Sequence, residues 1–334
     1  MNVTSMCSSA QNEMDITHKH RENSSLLKNN SYIDEKTAIV LVNWNSYEFT
    51  HQCLISLKEC KPANFDIIVV DNGSADSSGE QIKKEHTEII LIKSDTNLGF
   101  AGGNNLGIKY VLERPYKYVM LLNNDTFVEP DFMDVLINYM DENPDVGLIQ
   151  PKIFFHNNRN MLWNGGSYFN KLITLPYTRG YFRNDKPKYN YIEEVNWVTG
   201  CAFLTRTDIL KKTGLLEEKF FIYFEDVDLS LRIKNAGHRL IYHPKSVIYH
   251  IAGMSNKTKT KQKEGYVNPV VHYMAQRNRI WFIKRYFKWY YLVPTVIYHA
   301  SYSLAVMVYF TVRGRFKKLN AFLSGIKDGM KDSL

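Results

Sequence analysis

The chain is poor in cysteine, with Cys7, Cys53, Cys60 and Cys201 scattered through 334 residues and no CxxC pair. That argues against a disulfide framework or a cysteine-ligated zinc site and suits reduced thiols in a cytosolic compartment. No apolar run opens the chain, so residues 1–36 do not read as a secretory signal. They are polar, rich in Asn, Ser, Glu and Lys, and lack apolar periodicity, which predicts a disordered or loosely attached extension. Neither GxGxxG nor Gly-Lys-Ser/Thr occurs in the one glycine-rich segment, which excludes a P-loop. Internal repeats and low-complexity tracts are missing as well.

Charge is present but uneven. The net charge is +8, yet residues 255–334 carry 15 Lys/Arg against 3 Asp/Glu, so the rest of the chain is mildly acidic. Trp281, Phe282, Tyr286, Phe287, Trp289, Tyr290 and Tyr291 interleave with that basic tail. Basic residues mixed with bulky aromatics fit the anionic face of a bilayer, and no nucleic-acid partner is expected. Residues 289–312 lack Asp, Glu, Lys and Arg over 24 residues, 18 of them apolar, long enough to span a bilayer. Pro294, Thr295, His299, Ser301 and Ser303 interrupt the run, and Lys/Arg flank both ends. A span should leave its basic flank on one side, so helices lying in or dipping into the interface are expected, with a span as the alternative.

The 44% hydrophobic and 13% aromatic content supplies a packed core. TAIVLVN at 37–43 reads as a buried strand, and Ser46 offers a cap for a helix running to about 59. DIIVVD at 66–71 is a second strand, ending on the turn Asn72-Gly73-Ser74. A helix over 79–86, a strand over 88–93, a helix reaching 113 and the strand KYVMLLN at 117–123 follow. This alternation predicts a mainly parallel α/β sheet, whose ligands sit beyond the carboxyl ends of the strands. Asn43, Asp71 and Asn123 fall at those ends. A helix over 130–140, strands over 147–153, 195–205, 238–242 and 247–250, and a helix over 226–235 complete the reading.

Asp71 could accept hydrogen bonds from a base or ribose, or merely cap a turn. Asn123-Asn124-Asp125 ends a buried strand. A hard divalent cation needs oxygen ligands, making Asp125 the candidate for Mg²⁺ or Mn²⁺ and a plain Asn-Asp turn the rival. The glycines of 97–105 let backbone approach a ligand, and the helix start behind them favours anions. Glu225, Asp226 and Asp228 open a helix, where acids gain from the dipole. Adjacent helical residues point roughly 100° apart, so one base and two structural acids is the economical division. His250 ends a β-branched strand, a place that fits a metal ligand or a satisfied core histidine.

Taken together, the motifs resemble the family-2 glycosyltransferases of the GT-A fold, closest to the rhamnosyltransferase-like branch of bacterial surface-polysaccharide synthesis. The resemblance covers residues 37–290 and rests on VNWNS at 42–46, VVDNGSAD at 69–76, NLGFAGGNNLGI at 97–108 and LLNNDTFVEP at 121–130. It continues in WVTGCAFLTR at 197–206, FEDVDLSLRIKNAG at 224–237, YHIAGMS at 249–255 and QRNRIWFIKRY at 276–286. Each motif is weak alone; their order is specific.

The resemblance implies a catalytic domain over 37–255 and membrane-associating helices over 256–334. Asn43, Asn45, Asp71, Gly99, Gly103, Asn104, Asn123 and Asn124 would surround the donor nucleotide. Asp125 and His250 would hold the metal, with Asn123 where the family's DxD motif has its first acid. Trp197, Thr199, Gly200 and Glu225 would line the acceptor and donor-sugar pocket, and Asp226 would be the catalytic base. The implied partners are a dTDP- or UDP-linked sugar and a saccharide acceptor on a lipid, at the cytoplasmic face of the bacterial inner membrane. Homo-oligomerisation is left open. A nucleotidyltransferase and a non-catalytic nucleotide-sugar-binding scaffold are the alternatives.

Overall fold

The computed structural model of the chain describes residues 36–60, 65–252, 257–262, 265–332 and 334. The extension expected over 1–36 therefore lies, except for Lys36, outside the described residues.

Four strands, β1 (Lys36–Asn43), β2 (Phe65–Asn72), β3 (Ile90–Ser94) and β4 (Tyr116–Leu122), pair in parallel in the order β3-β2-β1-β4. Helices α1 (Tyr47–Lys58), α2 (Ser78–Glu85) and α3 (Gly99–Leu112) make the crossovers. Ala38, Ile39, Val40 and Leu41 are all fully buried, which is why β1 is a continuous apolar run: both faces are covered. The register sets Asn43 opposite Asp71 and Asp71 opposite Lys93, lining up the carboxyl ends.

The sequence then widens the sheet. β5 (Thr126–Val128) and α4 (Phe132–Glu142) lead into the long β6 (Val146–Phe155) and β7 (Asn158–Asn164). The hairpin β8 (Ser167–Asn170) and β9 (Leu175–Thr178) stands apart, and β10 (Arg183–Asn184) and β11 (Glu193–Glu194) are two-residue edges. β12 (Ala202–Arg206) inserts antiparallel between β4 and β6. After α5 (Thr207–Thr213) and α6 (Glu225–Asn235), β13 (Arg239–His250) runs parallel to β6 and antiparallel to β5. A hairpin of β14 (Lys257–Gln262) and β15 (Gly265–Val267) precedes the helices α7 (Pro269–Tyr286), α8 (Leu292–Val312) and α9 (Phe316–Lys331).

Three expectations change. The strands expected over 238–242 and 247–250 are one strand, whose register slips between His243 and Val247 around Pro244. The strand expected from 195 starts only at Ala202. Before it, the Thr199 and Gly200 amides bond side chains, Gln150 and Asp226, instead of a neighbouring strand. Ser46 precedes α1 without capping it through its hydroxyl.

The glycine-rich stretch is explained by packing. Gly99, Gly103 and Gly107 recur every fourth residue, so they share one face of α3. A Cβ on Gly107 would lie 2.5 Å from Val40 Cγ1, and one on Gly103 3.0 Å from Val42 Cγ1. α3 therefore rests its bare backbone on β1. Gly107→Ala is expected to destabilise by about 1–3 kcal/mol through overpacking, read as a lower thermal midpoint. An unchanged midpoint would refute this close approach.

Candidate functional site

The carboxyl ends of β1 and β2 carry a polar network. Asn43, fully buried, donates from Nδ2 to Asp71 Oδ1 at 3.3 Å, Ser74 Oγ at 3.2 Å and Ser78 Oγ at 2.7 Å. Thr50 donates to Asn43 Oδ1 at 2.9 Å and accepts from Asn124 Nδ2 at 2.8 Å. Asp71 is buried against the first turn of α2, close enough that a Cβ on Gly79 would overlap its carboxylate. The helix dipole stabilises an anion placed there. Asn45, at φ 48°, ties the two loops together by accepting from the Ala75 amide at 2.8 Å.

One strand further along, β4 delivers Asn123, Asn124 and Asp125. Because β13 pairs with β5, His250 stands opposite Thr126, next to Asp125. His250 Nε2 lies 3.0 Å from Asp125 Oδ1 and 3.5 Å from Asn123 Nδ2, and both members of the Asp–His pair are buried. Burial opposes a charge on His250, but the Cys201 thiol and the Asp125 carboxylate push its pKa up to about 10. Burial also pushes the Cys201 thiol up, so Asp125 is the anion that holds the imidazolium at neutral pH. The pair offers one oxygen and one nitrogen donor to a divalent cation. That set fits Mn²⁺ or Mg²⁺ sharing its remaining positions with substrate phosphates. Proton and cation would compete for the same nitrogen.

The turn before β12 connects this pair to the acids of α6. The Gly200 amide donates to Asp226 Oδ2 at 2.8 Å, and the next residue, Cys201, accepts from the Asn123 amide at 2.8 Å. Adjacent residues of this one turn thus contact both regions, Gly200 holding Asp226 and Cys201 holding the Asn123 end of β4. The three acids of α6 have separate environments. Asp228, fully buried, is held by Arg232 at 2.9 Å, Tyr286 at 2.6 Å and Arg285 at 3.3 Å. Glu225 is 4% exposed, with Oε2 lacking any hydrogen-bond partner. Burial, then the charge of Asp226, raises its pKa well above the carboxylate range. Burial also raises Asp226, against the opposing pull of the Gly200 and Val227 amides. Both are raised by burial, and Glu225 more strongly, since its Oε2 has no partner while Asp226 accepts from two amides.

Other expected residues lie nearby in various settings. Trp197 donates to Tyr168 O at 2.8 Å and packs with Val227 and Phe282. Thr199 is buried beside Gln150. Gly99 sits at φ 73°, against the Phe221 ring, where a Cβ would not fit. Asn104 turns its amide back to Phe100 O at 2.9 Å, and Gly103 faces the sheet.

Sequence reasoning missed Asn278 and the loop it holds. Phe221, Tyr223 and Phe224 have φ of 66°, 74° and 76°, left-handed values costly for residues with side chains. From α7, the fully buried Asn278 reaches Phe220 O at 2.8 Å, Ile222 O at 2.7 Å and Tyr223 O at 3.1 Å. Arg277 adds Lys219 O and Phe220 O, each at 3.1 Å. The available signal was an uncharged polar residue on the same helix face as Trp281 and Phe282, at spacings of three and four.

A mainly parallel sheet widened by an antiparallel insertion, with polar side chains and a buried Asp–His pair at its carboxyl edge, is a GT-A-like architecture. The chain belongs to glycosyl transferase family 2, whose model matches residues 38–214. It is 24% identical over 267 residues to the N-acetylglucosaminyl-diphospho-decaprenol L-rhamnosyltransferase of Mycobacterium tuberculosis, covering 73% of this chain and 85% of the relative. Among solved structures it is similar in fold to residues 1–349 of Staphylococcus aureus TarS, at TM-score 0.53 and 16% identity, over 87% of this chain and 81% of that one. GalNAc-T7 in complex with UDP, GalNAc and Mn²⁺ also superposes at TM-score 0.53 and 14% identity, over 64% of this chain and 43% of that one.

Two outcomes follow from the geometry. Asn278→Ala removes the amide shared by Phe220 O, Ile222 O and Tyr223 O and should lower stability by about 1–3 kcal/mol, visible as a reduced thermal midpoint. A raised carboxylate pKa means the folded protein binds that proton more tightly, so stability falls as pH climbs from the unfolded value of about 4.3 to the raised folded one. Glu225→Gln removes that dependence. Its thermal midpoint relative to the parent should improve with rising pH, and a pH-independent difference would contradict a protonated Glu225.

Proposed function

We propose that the protein is an inverting, metal-dependent glycosyltransferase that moves a sugar from a nucleoside diphosphate onto a lipid-linked saccharide. The donor is dTDP-rhamnose, or else a UDP-hexose, and the setting is bacterial cell-surface polysaccharide synthesis at the cytoplasmic face of the membrane. The observation that carries this reading is the turn that joins the two acids' neighbourhoods: Gly200 donates to Asp226, and the next residue, Cys201, accepts from Asn123, two residues before the Asp125 that pairs with His250. The M. tuberculosis relative, whose name gives both a rhamnosyl transfer and a prenyl-diphosphate acceptor, supports the choice of substrates.

In this reading the Asn43–Asp71–Ser78 network seats the pyrimidine nucleoside. Asp125 and His250 hold Mg²⁺ or Mn²⁺, which when bound neutralises the departing diphosphate. Asp226, whose carboxylate accepts from two amides, takes the proton from the acceptor hydroxyl as its oxygen attacks the anomeric carbon. A single displacement inverts that carbon. Glu225 Oε2, buried and unpartnered, supplies a hydrogen-bonding position for a sugar hydroxyl in the same pocket.

The tail fits a membrane-bound acceptor. Trp289–Val312 forms a helical stretch of 24 residues, with a mean hydropathy of 1.3 and only 6% buried in its most apolar window. Trp289, Val293, Ile297, Leu304, Val308 and Val312 face outward. Such a surface seats in the apolar layer beneath lipid headgroups, with Lys/Arg at both ends meeting anionic lipid.

Asp226→Asn should keep donor binding while turnover falls by about 10²-fold or more. Near-normal turnover would remove Asp226 from the role. Asp125→Ala should abolish the shift in donor affinity between chelator and added Mg²⁺ or Mn²⁺. A donor screen by thermal shift, with product stereochemistry read by NMR, tests the class: retention at the anomeric carbon would exclude this mechanism.

A further inference from the structure

Where the first half of α1 meets the C-terminal end of α2, three potential metal-ligand side chains come together. His51 Nδ1 lies 2.9 Å from His86 Nε2 and 3.3 Å from Glu85 Oε2, and the three atoms are mutually within 4.8 Å. Among the described residues this is the one such group of His, Cys, Asp or Glu. Thirty-five residues separate the two histidines, so the cluster is tertiary rather than a local accident of helix spacing.

We propose that His51, Glu85 and His86 form a second divalent-metal site, for a borderline ion such as Zn²⁺, completed by solvent. Two imidazoles and a carboxylate match the preference of Zn²⁺, which takes nitrogen donors more readily than Mg²⁺ does. The surroundings orient the ligands as outer partners of a metal site do. The Tyr47 hydroxyl donates to Glu85 Oε2 at 2.5 Å, and its ring stacks on His51 with centroids 5.4 Å apart. His86 is buried, and its other ring nitrogen, Nδ1, has no hydrogen-bond partner. Glu88 Oε1 waits 3.7 Å from it. With the metal on Nε2, Nδ1 carries the proton on the side of the ring near that carboxylate.

An ion here would staple α1 to α2. Those helices present Thr50 and Ser78 to Asn43, so the staple stiffens the frame of the nucleoside edge while contacting no substrate. The site stands independently of the transfer mechanism proposed above.

The test is a Zn²⁺ titration of full-length Asp125→Ala protein by calorimetry, so that binding at Asp125–His250 does not contribute. One equivalent should bind and raise the thermal midpoint. His51→Gln and Glu85→Gln, both at surface-accessible positions, should each abolish that equivalent while leaving the metal-free midpoint unchanged. Tyr47→Phe should weaken it by about tenfold or more. Absence of a bound equivalent, or binding unaltered by His51→Gln, would overturn the site and leave an ordinary histidine–histidine hydrogen bond.

Discussion

The short turn between Trp197 and Ala202 is the constraint on which the site's geometry depends. Its backbone amides are bonded in three directions: Thr199 to Gln150 on β6 at 3.1 Å, Gly200 to Asp226 on α6 at 2.8 Å, and Cys201 to the Thr199 hydroxyl at 3.3 Å. Its Cys201 carbonyl takes the Asn123 amide at the end of β4. A buried backbone must satisfy its polar groups, and here it does so by joining the parallel half of the sheet to the helix that carries the acids. A Cβ at Gly200 would sit 3.0 Å from the Phe100 ring and 3.4 Å from Asp226 Cβ. The Phe100 ring is the tight neighbour, and the Asp226 distance is ordinary contact, so it is the ring that leaves least room for a side chain at 200.

The second half of the site is built outside the segment the family model covers, which ends at 214. Asp226, His250 and Asn278 all lie beyond it. The helices after 268 are therefore structural parts of the site as well as a tail. Phe282 is fully buried, packed with Trp197 and Val227. Tyr286 and Arg285 close the cage around Asp228. A path of contacts also leads outward. His299 and Thr295 on α8 bond Ile173 O and Leu172 O at 2.8 Å and 3.2 Å, on the turn of the β8–β9 hairpin. The Tyr168 carbonyl of that hairpin holds Trp197. The apolar helix and the pocket are thus joined by hydrogen bonds through a single hairpin.

Much of this was legible because buried parallel strands announce themselves. DIIVVD and KYVMLLN are apolar on both faces, and the polar residues that end them mark the ligand edge. Asp71, Asn123 and Asp125 were therefore found at strand ends from pattern alone. The approach of Asp226 to Gly200 was not, since 26 residues separate them and no local periodicity encodes the contact. Cys201 looked like one more scattered thiol, and nothing in its spacing places its carbonyl on the Asn123 amide. β10 and β11 have two residues each, too short for alternation to register. The glycines of α3 were read toward ligand approach, whereas three of them meet side chains of the sheet or Phe221. Composition showed that backbone comes close to something; only tertiary structure shows to what.

The asparagine at 123 follows from the same electrostatics. His250 and Asp125 already form a buried pair with compensating charge. A second carboxylate at 123 would sit where the Asn123 amide now stands, 3.5 Å from His250 Nε2, and its charge would face Asp125 in a medium of low dielectric. In the empty protein that repulsion would destabilise the fold or draw a proton onto one acid. With Asn123 neutral, the Asp125 carboxylate faces the His250 ring with no second acid beside it. Glu225 is the contrasting case. Its Oε2 is buried with no hydrogen-bond partner, so the cost of desolvation falls on its charged form and its pKa rises, with the charge of Asp226 adding to the effect.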